Sequence, residues 1–199
     1  AVAGVSLFRS NYLGHQPHPR LIRPPGAQTD EFLSRCIRCG ECVRACPTSA
    51  IQSAITEAGL EGLWTPLLIP RLGYCDYSCH ACGQVCAPAA IRPLSLAVKR
   101  ATAIGRAYID TDRCLPWADN IPCGVCEEMC PVPDKAILFD TSEDERLERP
   151  GDAPQAPRPF VVSTRCIGCG LCEKRCPLNG ESAIRVYAPN EPPPPMGYL

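Results

Sequence analysis

The sequence predicts an α+β fold in which short helices and short antiparallel hairpins surround groups of cysteines in two small modules. Three observations predict this fold. The chain has 16 cysteines in 199 residues, a share at which cysteines rather than a large apolar core hold a chain together. These cysteines recur in a fourfold repeat, and short strand-like runs flank the later copies. The 23 prolines favour loops over long regular elements.

The cysteines form four quartets with none left over. The quartets are Cys36, Cys39, Cys42, Cys46; Cys75, Cys79, Cys82, Cys86; Cys114, Cys123, Cys126, Cys130; and Cys166, Cys169, Cys172, Cys176. The first and last follow C-x2-C-x2-C-x3-C-P, the bacterial ferredoxin run for [4Fe-4S] clusters, in which the fourth cysteine ligates the other cluster of a pair. We therefore predict that all sixteen cysteines ligate iron, as four [4Fe-4S] clusters.

The second and third quartets depart from this pattern but keep C-x2-C-x3-C. Three residues rather than two separate Cys75 from Cys79, and eight separate Cys114 from Cys123. We predict that Cys114 is a working ligand carried on a longer loop. In that loop Trp117 is expected to shield the cluster rather than to contact a partner.

The regular elements are expected to be short. The run "DEFLSRC" before Cys36 looks helical, and "TPLLIP" at 65–70 looks like a strand. In the second module, strand-like runs precede and follow both quartets, at 107–110, 136–140, 159–162 and 183–187, which is the two-hairpin pattern of ferredoxins. Every quartet is followed by Ala-Ile, ending at Ile51, Ile91, Ile137 and Ile184.

A helix is predicted between the modules, over residues 93–104. Its apolar residues share one face that is expected to pack against the core, with Lys99 and Arg100 lying off that face. The residues of the apolar face are Leu94, Ala97, Val98, Ala101 and Ile104.

These elements divide the chain into five segments. They are an N-terminal extension at 1–30, expected to be the remnant of a signal or anchor, a first dicluster ferredoxin module at 31–93, a connecting helix at 94–106, a second dicluster ferredoxin module at 107–188, and a Pro-rich tail at 189–199. The acidic stretch 141–159 is expected to be an exposed loop. Two interpretations of the tail are equally favoured. It is either an extended arm that lies along a partner or a frayed end of the chain.

Two pairings of the quartets remain open. Adjacent pairing, which we favour, completes the first three cysteines of each quartet with the last cysteine of its neighbour, so that Cys86 joins Cys36, and Cys176 joins Cys114. Nested pairing would join the first quartet with the fourth and the second with the third. Both pairings use the same sixteen ligands.

Other uses of the cysteines fit the spacing less well. Structural zinc sites separate two C-x2-C pairs by a dozen or more residues, whereas here three ligands crowd together, and the same crowding argues against a disulfide framework.

A net charge of -1 without basic blocks argues against a nucleic-acid partner. No phosphate loop or nucleophile constellation is present, because His15, His18 and His80 are scattered, and His80 is expected in an exposed loop. We therefore predict an electron carrier without a small-molecule substrate rather than an enzyme.

Three segments resemble the NapG/MauM family of ferredoxin-type proteins, over most of residues 23–187. They are "RPPGAQTDEFLSRCIRCGECVRACPTSAI", "GYCDYSCHACGQVCAPAAIRPLS" and "IDTDRCLPWADNIPCGVCEEMCPVPDKAI". The resemblance implies a four-cluster electron carrier, exported by the twin-arginine route and working beside a membrane polyferredoxin that handles quinol electrons. It implies a bacterial, membrane-associated protein on the periplasmic face. The cytoplasm is the alternative, since the sequence shows no twin-arginine pair.

The function predicted is the relay of single electrons through four [4Fe-4S] clusters, between a membrane quinol/quinone-linked partner and a redox partner such as a cytochrome. The alternative is a permanent electron-transfer subunit of a larger membrane-associated oxidoreductase complex, with the catalytic cofactor in another chain. In a third interpretation, the clusters only stabilise the fold and transfer no electrons. Such clusters span potentials of about -700 to +450 mV, so the sequence leaves the direction of electron flow open.

Overall fold

Regular structure in this chain consists of short helices and strands between longer loops. The computed structural model describes residues 21–27, 31–140 and 155–189. In these ranges the helices are α1 (Phe32–Arg35), α2 (Glu41–Arg44), α3 (Ala81–Gln84), α4 (Leu96–Ala101), α5 (Leu115–Ala118), α6 (Val125–Glu128) and α7 (Leu171–Arg175), and the strands are β1 (Ile51–Ser53), β2 (Pro66–Leu68), β3 (Arg106–Ile109), β4 (Ile137–Phe139), β5 (Pro159–Val161) and β6 (Ile184–Tyr187). Helices this short are unstable alone, so tertiary contacts must hold them in place.

The six described strands form three antiparallel pairs. Strand β1 pairs with β2, β3 with β6, and β4 with β5. The four strand-like runs predicted for the second module are all strands, as is the run at 65–70. Strand β1 was not predicted, because its sequence IQS contains only one strong strand former, Ile51.

Residues 21–27 occupy the position in the first module that β3 has in the second. Ile22 is fully buried and forms a bridge with Leu68, and the Arg92 amide donates to the Gly26 carbonyl at 3.1 Å. Gly26 has φ +90°, and a Cβ there would overlap the Arg92 carbonyl, so the chain bends instead of continuing as a strand. These seven residues therefore pack into the first module, although the sequence analysis placed them in the N-terminal extension.

The connecting helix differs from its prediction in length and in the face it buries. Helix α4 covers Leu96–Ala101 only. Val98 on the predicted core face is 53% exposed, whereas Lys99 is 3% exposed. The predicted face is wrong because the helix turns its Lys99 side toward the second quartet, where the Lys99 Nζ donates to the Asp76 carbonyl.

The two modules share one apolar core. Ile22 and Leu68 of the first module belong to the same buried cluster as Ile137, Ile184 and Val186 of the second. Backbone contacts cross the same boundary, since the Cys75 amide donates to the Cys169 carbonyl at 2.7 Å. The modules are therefore packed against each other rather than joined by the connecting helix alone.

Several predicted features lie outside the described residues. They are residues 1–20 of the N-terminal extension with His15 and His18, residues 141–154 of the acidic stretch, and residues 190–199 of the tail. In the part of the chain that is described, no helix combines the length and the apolar character needed to cross a bilayer.

Candidate iron-sulfur sites

Four cavities in the molecule are each lined by four cysteines. Three of the four come from one quartet, and the fourth is the last cysteine of the adjacent quartet. The sites are site 1 (Cys36, Cys39, Cys42, Cys86), site 2 (Cys46, Cys75, Cys79, Cys82), site 3 (Cys130, Cys166, Cys169, Cys172) and site 4 (Cys114, Cys123, Cys126, Cys176). The structure therefore brings the quartets together in the adjacent arrangement.

The lining of the cavities fits a cluster better than a single ion. Each cavity is lined by four cysteines and otherwise mainly by apolar surface, whereas zinc requires four sulfurs at about 2.3 Å from one point. Among the described residues, no three His, Cys, Asp or Glu side chains converge closely enough for one ion. Four thiolates around an apolar cavity are the donor set of a [4Fe-4S] cluster.

The repeated Ala-Ile has a structural role that the sequence analysis noted only as a repeat. Each pair lines the cavity completed by the last cysteine of its own quartet. In three copies amides of the pair reach that sulfur. Those of Ala50 and Ile51 act on Cys46, the Ile91 amide lies 3.2 Å from the Cys86 Sγ, and the Ala136 amide lies 3.4 Å from the Cys130 Sγ. These N–H groups stabilise a thiolate, and hydrogen bonds to sulfur help to set cluster potentials.

Burial and hydrogen bonding affect the cysteines differently. Burial raises the pKa of Cys42 to about 11 and that of Cys82 to about 12. Burial also acts to raise the pKa of Cys46, but the Thr48 hydroxyl and nearby backbone N–H groups outweigh it and lower that pKa. Because the ligands are thiolates, filling the sites displaces protons from the high-pKa cysteines.

The eight-residue gap after Cys114 forms a helical turn. Cys114 is buried and directly precedes α5, whose Leu115 lines site 4. Trp117 does not line this cavity; its Nε1 donates to the Pro159 carbonyl at 3.0 Å, and Arg158 stacks on its ring. Leu115 rather than Trp117 therefore covers the cluster cavity, which corrects the predicted shielding role of Trp117.

His80 is half-buried rather than exposed, which corrects the prediction of an exposed loop histidine. Its Nδ1 lies 2.7 Å from the Leu94 carbonyl. Since a carbonyl only accepts, Nδ1 carries the proton in this contact. His80 thus ties the start of α3 to the segment leading into α4.

Three cations near the sites were missed by the sequence analysis. The Arg23 Nη1 donates to the Thr65 hydroxyl and the Pro66 carbonyl, both at 2.7 Å, and its charge interacts with Cys36 of site 1. Arg106 donates to the Cys166 carbonyl at site 3, and Lys99 lies at site 2. No motif spacing marks these residues, because each is distant in sequence from the quartet it contacts.

Packing contacts join the sites in the order 1, 2, 3, 4. Helices α2 and α3, which carry Cys42 of site 1 and Cys82 of site 2, contact each other. The hydrogen bond from the Cys75 amide to the Cys169 carbonyl joins sites 2 and 3. Helices α6 and α7, which carry Cys126 of site 4 and Cys172 of site 3, also contact each other.

Two family models match the chain. The "4Fe-4S binding domain" matches residues 32–52, and the "4Fe-4S dicluster domain" matches residues 121–180. The fold, the cysteine-lined cavities and these matches define an iron-sulfur electron-transfer protein of the ferredoxin type, with 16 cysteines in motifs for multiple [4Fe-4S] clusters.

Relatives with 34–35% sequence identity align with most of this chain. The methylamine utilization ferredoxin-type protein MauM of Methylobacillus flagellatus is 34% identical over 94% of this chain and 76% of its own length. MauM of Methylorubrum extorquens is 34% identical over 93% and 80%. The ferredoxin-type protein NapG of Escherichia coli is 35% identical over 84% and 71%. The chain therefore belongs to the family of MauM and NapG ferredoxin-type proteins, as the sequence motifs predicted.

Proposed function

We propose that this protein holds four [4Fe-4S] clusters, one at each site, and relays single electrons along them in the order 1, 2, 3, 4. The observation that carries this proposal is the continuous series of packing contacts between the elements that hold the cysteines of neighbouring sites. A series of separate cavities without such contacts would suit independent structural clusters equally well. Here each site shares a boundary with the next.

The residues of the chain hold, shield and tune the clusters, which when bound supply the one-electron chemistry. Apolar side chains such as Ile51 and Leu68 at site 2 keep water from the cavity. Backbone N–H groups and nearby cations set the electrostatic environment of the thiolates. Of the sixteen cysteines, all of which lie in the described ranges, Cys39 of site 1 alone is exposed. Site 1, at one end of the series, is therefore the most accessible to a partner.

The partners and location belong to the same proposal. One end exchanges electrons with a membrane quinol/quinone-linked subunit or polyferredoxin, and the other with a redox protein such as a cytochrome, on the periplasmic face of a bacterial membrane. The names of the relatives, as ferredoxin-type proteins, support a carrier rather than an enzyme. The second candidate is a permanent subunit of a membrane-associated oxidoreductase complex.

The test is purification of the chain without oxygen, followed by iron and sulfide analysis and an EPR-monitored redox titration. Four reducible cubanes correspond to about sixteen irons per chain, and we expect that content with four reduction steps. About eight irons would show that two quartets do not hold clusters. Clusters that cannot be reduced would contradict the relay and show that the clusters only stabilise the fold. Stable co-purification with a catalytic chain would favour the subunit candidate over the free carrier.

A further inference from the structure

Three charged side chains are buried in the described part of the chain: Lys99, Asp110 and Arg185. Asp110 and Arg185 form an ion pair with each other at 3.2 Å. Lys99 has no such carboxylate partner within the described residues. Burying an unpaired ammonium is costly, so a nearby negative group must offset the lost hydration.

The groups around the Lys99 ammonium lie at the start of the second quartet, between Cys75 and Cys79. Its Nζ donates to the Asp76 carbonyl and lies 5.9 Å from the centre of the Tyr77 ring. Asp76 follows Cys75 directly and lines site 2, so the hydrogen bond to its carbonyl places the ammonium beside this site. Burial raises the pKa of the Cys75 thiol, and the charge of Lys99 opposes that rise. The negative groups near Lys99 are therefore the Asp76 carboxylate and, once it is ionised, Cys75 of site 2.

We propose that the buried Lys99 ammonium raises the reduction potential of the cluster at site 2 and so determines whether an electron rests at this inner position of the relay. A site that accepts an electron gains one negative charge, and a fixed positive charge beside it favours that reduced state. The 3% exposure of Lys99 limits the solvent screening that weakens surface charges. This inference rests on the proposed four-cluster relay.

The neighbouring Arg100 provides a matched control. It is also a cation over the Tyr77 ring, with 4.8 Å between the guanidinium carbon and the ring centre, and its Nε donates to the Tyr77 carbonyl at 3.3 Å. Unlike Lys99, however, it is exposed to solvent. Its charge is therefore screened, and its removal should leave the potential of site 2 almost unchanged.

The experiment compares Lys99→Gln, Lys99→Arg and Arg100→Gln with the wild type, all loaded with clusters, by EPR-monitored titration with dithionite as the reductant. Gln keeps a donor for the Asp76 carbonyl but removes the charge. In Lys99→Gln we expect one of the four midpoints to move to a more negative potential by about 59 mV or more, a tenfold change in a one-electron equilibrium. Lys99→Arg should stay close to the wild type, and so should Arg100→Gln.

Three results would overturn the inference. They are unchanged midpoints in a fully loaded Lys99→Gln, an equal shift in Arg100→Gln, and loss of one cluster's iron in Lys99→Gln while the remaining midpoints stay in place. The last result would make Lys99 a support of the site rather than a determinant of its potential. Fewer than four clusters in the wild type would instead count against the proposed function, so the two failures are distinguishable.

Discussion

Cys114 is separated from the rest of its quartet by a complete helical turn, yet it reaches site 4. The turn closes on itself, since the Ala118 amide donates to the Cys114 carbonyl at 2.7 Å and the Ile121 amide to the Leu115 carbonyl at 3.0 Å. The inserted residues thus satisfy their own backbone groups and place no demand on the cluster. An insertion of this kind can therefore lengthen the loop while Cys114 still lines the cavity of site 4.

We expect Cys114→Ala to lose the cluster of site 4, about a quarter of the iron of a four-cluster chain, because three thiolates and a methyl group remain there. Trp117→Ala is the matched control from the same turn. It removes the bond to Pro159 and the stacking with Arg158 but no ligand, so its iron content should equal that of the wild type. Iron analysis of both variants checks the prediction, and full iron retention in Cys114→Ala would show that Cys114 is not a ligand.

Residues whose chemistry depends on local spacing were predictable, and residues that act across the fold were not. The quartets and the Ala-Ile repeat are visible because close spacing constrains both. Lys99 was predicted only as a solvent-facing residue of a helix, because helical periodicity assumes that charge faces water. Its burial depends on the Asp76 carbonyl and Cys75, which lie more than twenty residues earlier in the sequence.

At the scale of elements, the start of β3 and the loop of the fourth quartet approach each other very closely. Gly168 has φ +72°, and a Cβ there would overlap the backbone of Gly105. The Ile104 amide donates to the Ile167 carbonyl at 2.9 Å in the same place. The absence of a side chain at position 168 lets the loop that carries Cys166 and Cys169 lie against β3.

We expect Gly168→Ala to lower the temperature at which the clusters bleach far more than Gly180→Ala does. Both glycines have φ +72°, but nothing lies within 4 Å of a Cβ at Gly180. Both variants incur about 1–2 kcal/mol for the left-handed backbone, and Gly168→Ala adds about 1–3 kcal/mol of overlap. Visible absorbance followed on heating measures the difference. Equal bleaching temperatures would mean that the loop can move away from β3 at no cost.

The elements of the second module were predictable because four runs of strand-forming residues bracket its quartets. In the first module, β2 and α1 were predictable from their runs, but the bend at Gly26, which replaces part of a second hairpin, was not. That bend is held by a hydrogen bond from the Ala27 amide to the Pro24 carbonyl and by the contact with Arg92, which is distant in sequence. The helix between the modules covers only the central part of the range predicted for it, and its buried face follows from Lys99 and not from its apolar residues.

The whole molecule is held together by contacts between modules that include a half-buried arginine fork formed by Arg71. Arg71 of the first module donates from Nη1 to the carbonyls of Glu173 at 3.0 Å and Cys176 at 3.2 Å, and from Nη2 to that of Leu178. The Glu173 carbonyl lies in the last turn of α7 and the other two follow the helix, where helical partners are lacking. Arg71 thus completes the end of a helix in the other module, next to a ligand of site 4.

We expect Arg71→Gln to destabilise the molecule by about 1–3 kcal/mol, because partly buried carbonyls lose their donors. Arg165→Gln is the control, since Arg165 also donates to carbonyls, at Asp134 and Lys135, but it is exposed and acts within one module. Urea-induced bleaching of the clusters compares the two. Equal midpoints for both variants would show that the fork contributes no more than an exposed contact.

The exchange of the fourth cysteine also determines the order in which a growing chain can be loaded with iron. Sites 1 and 2 have their complete ligand sets once Cys86 has left the ribosome, whereas site 4 must await Cys176. The acceptor of the Cys75 amide, Cys169, is also translated late. A nascent chain can therefore hold two clusters while the core face around Leu68 is still uncovered. Iron delivery during translation would protect the thiols of the first half well before the second half exists to bury its surface.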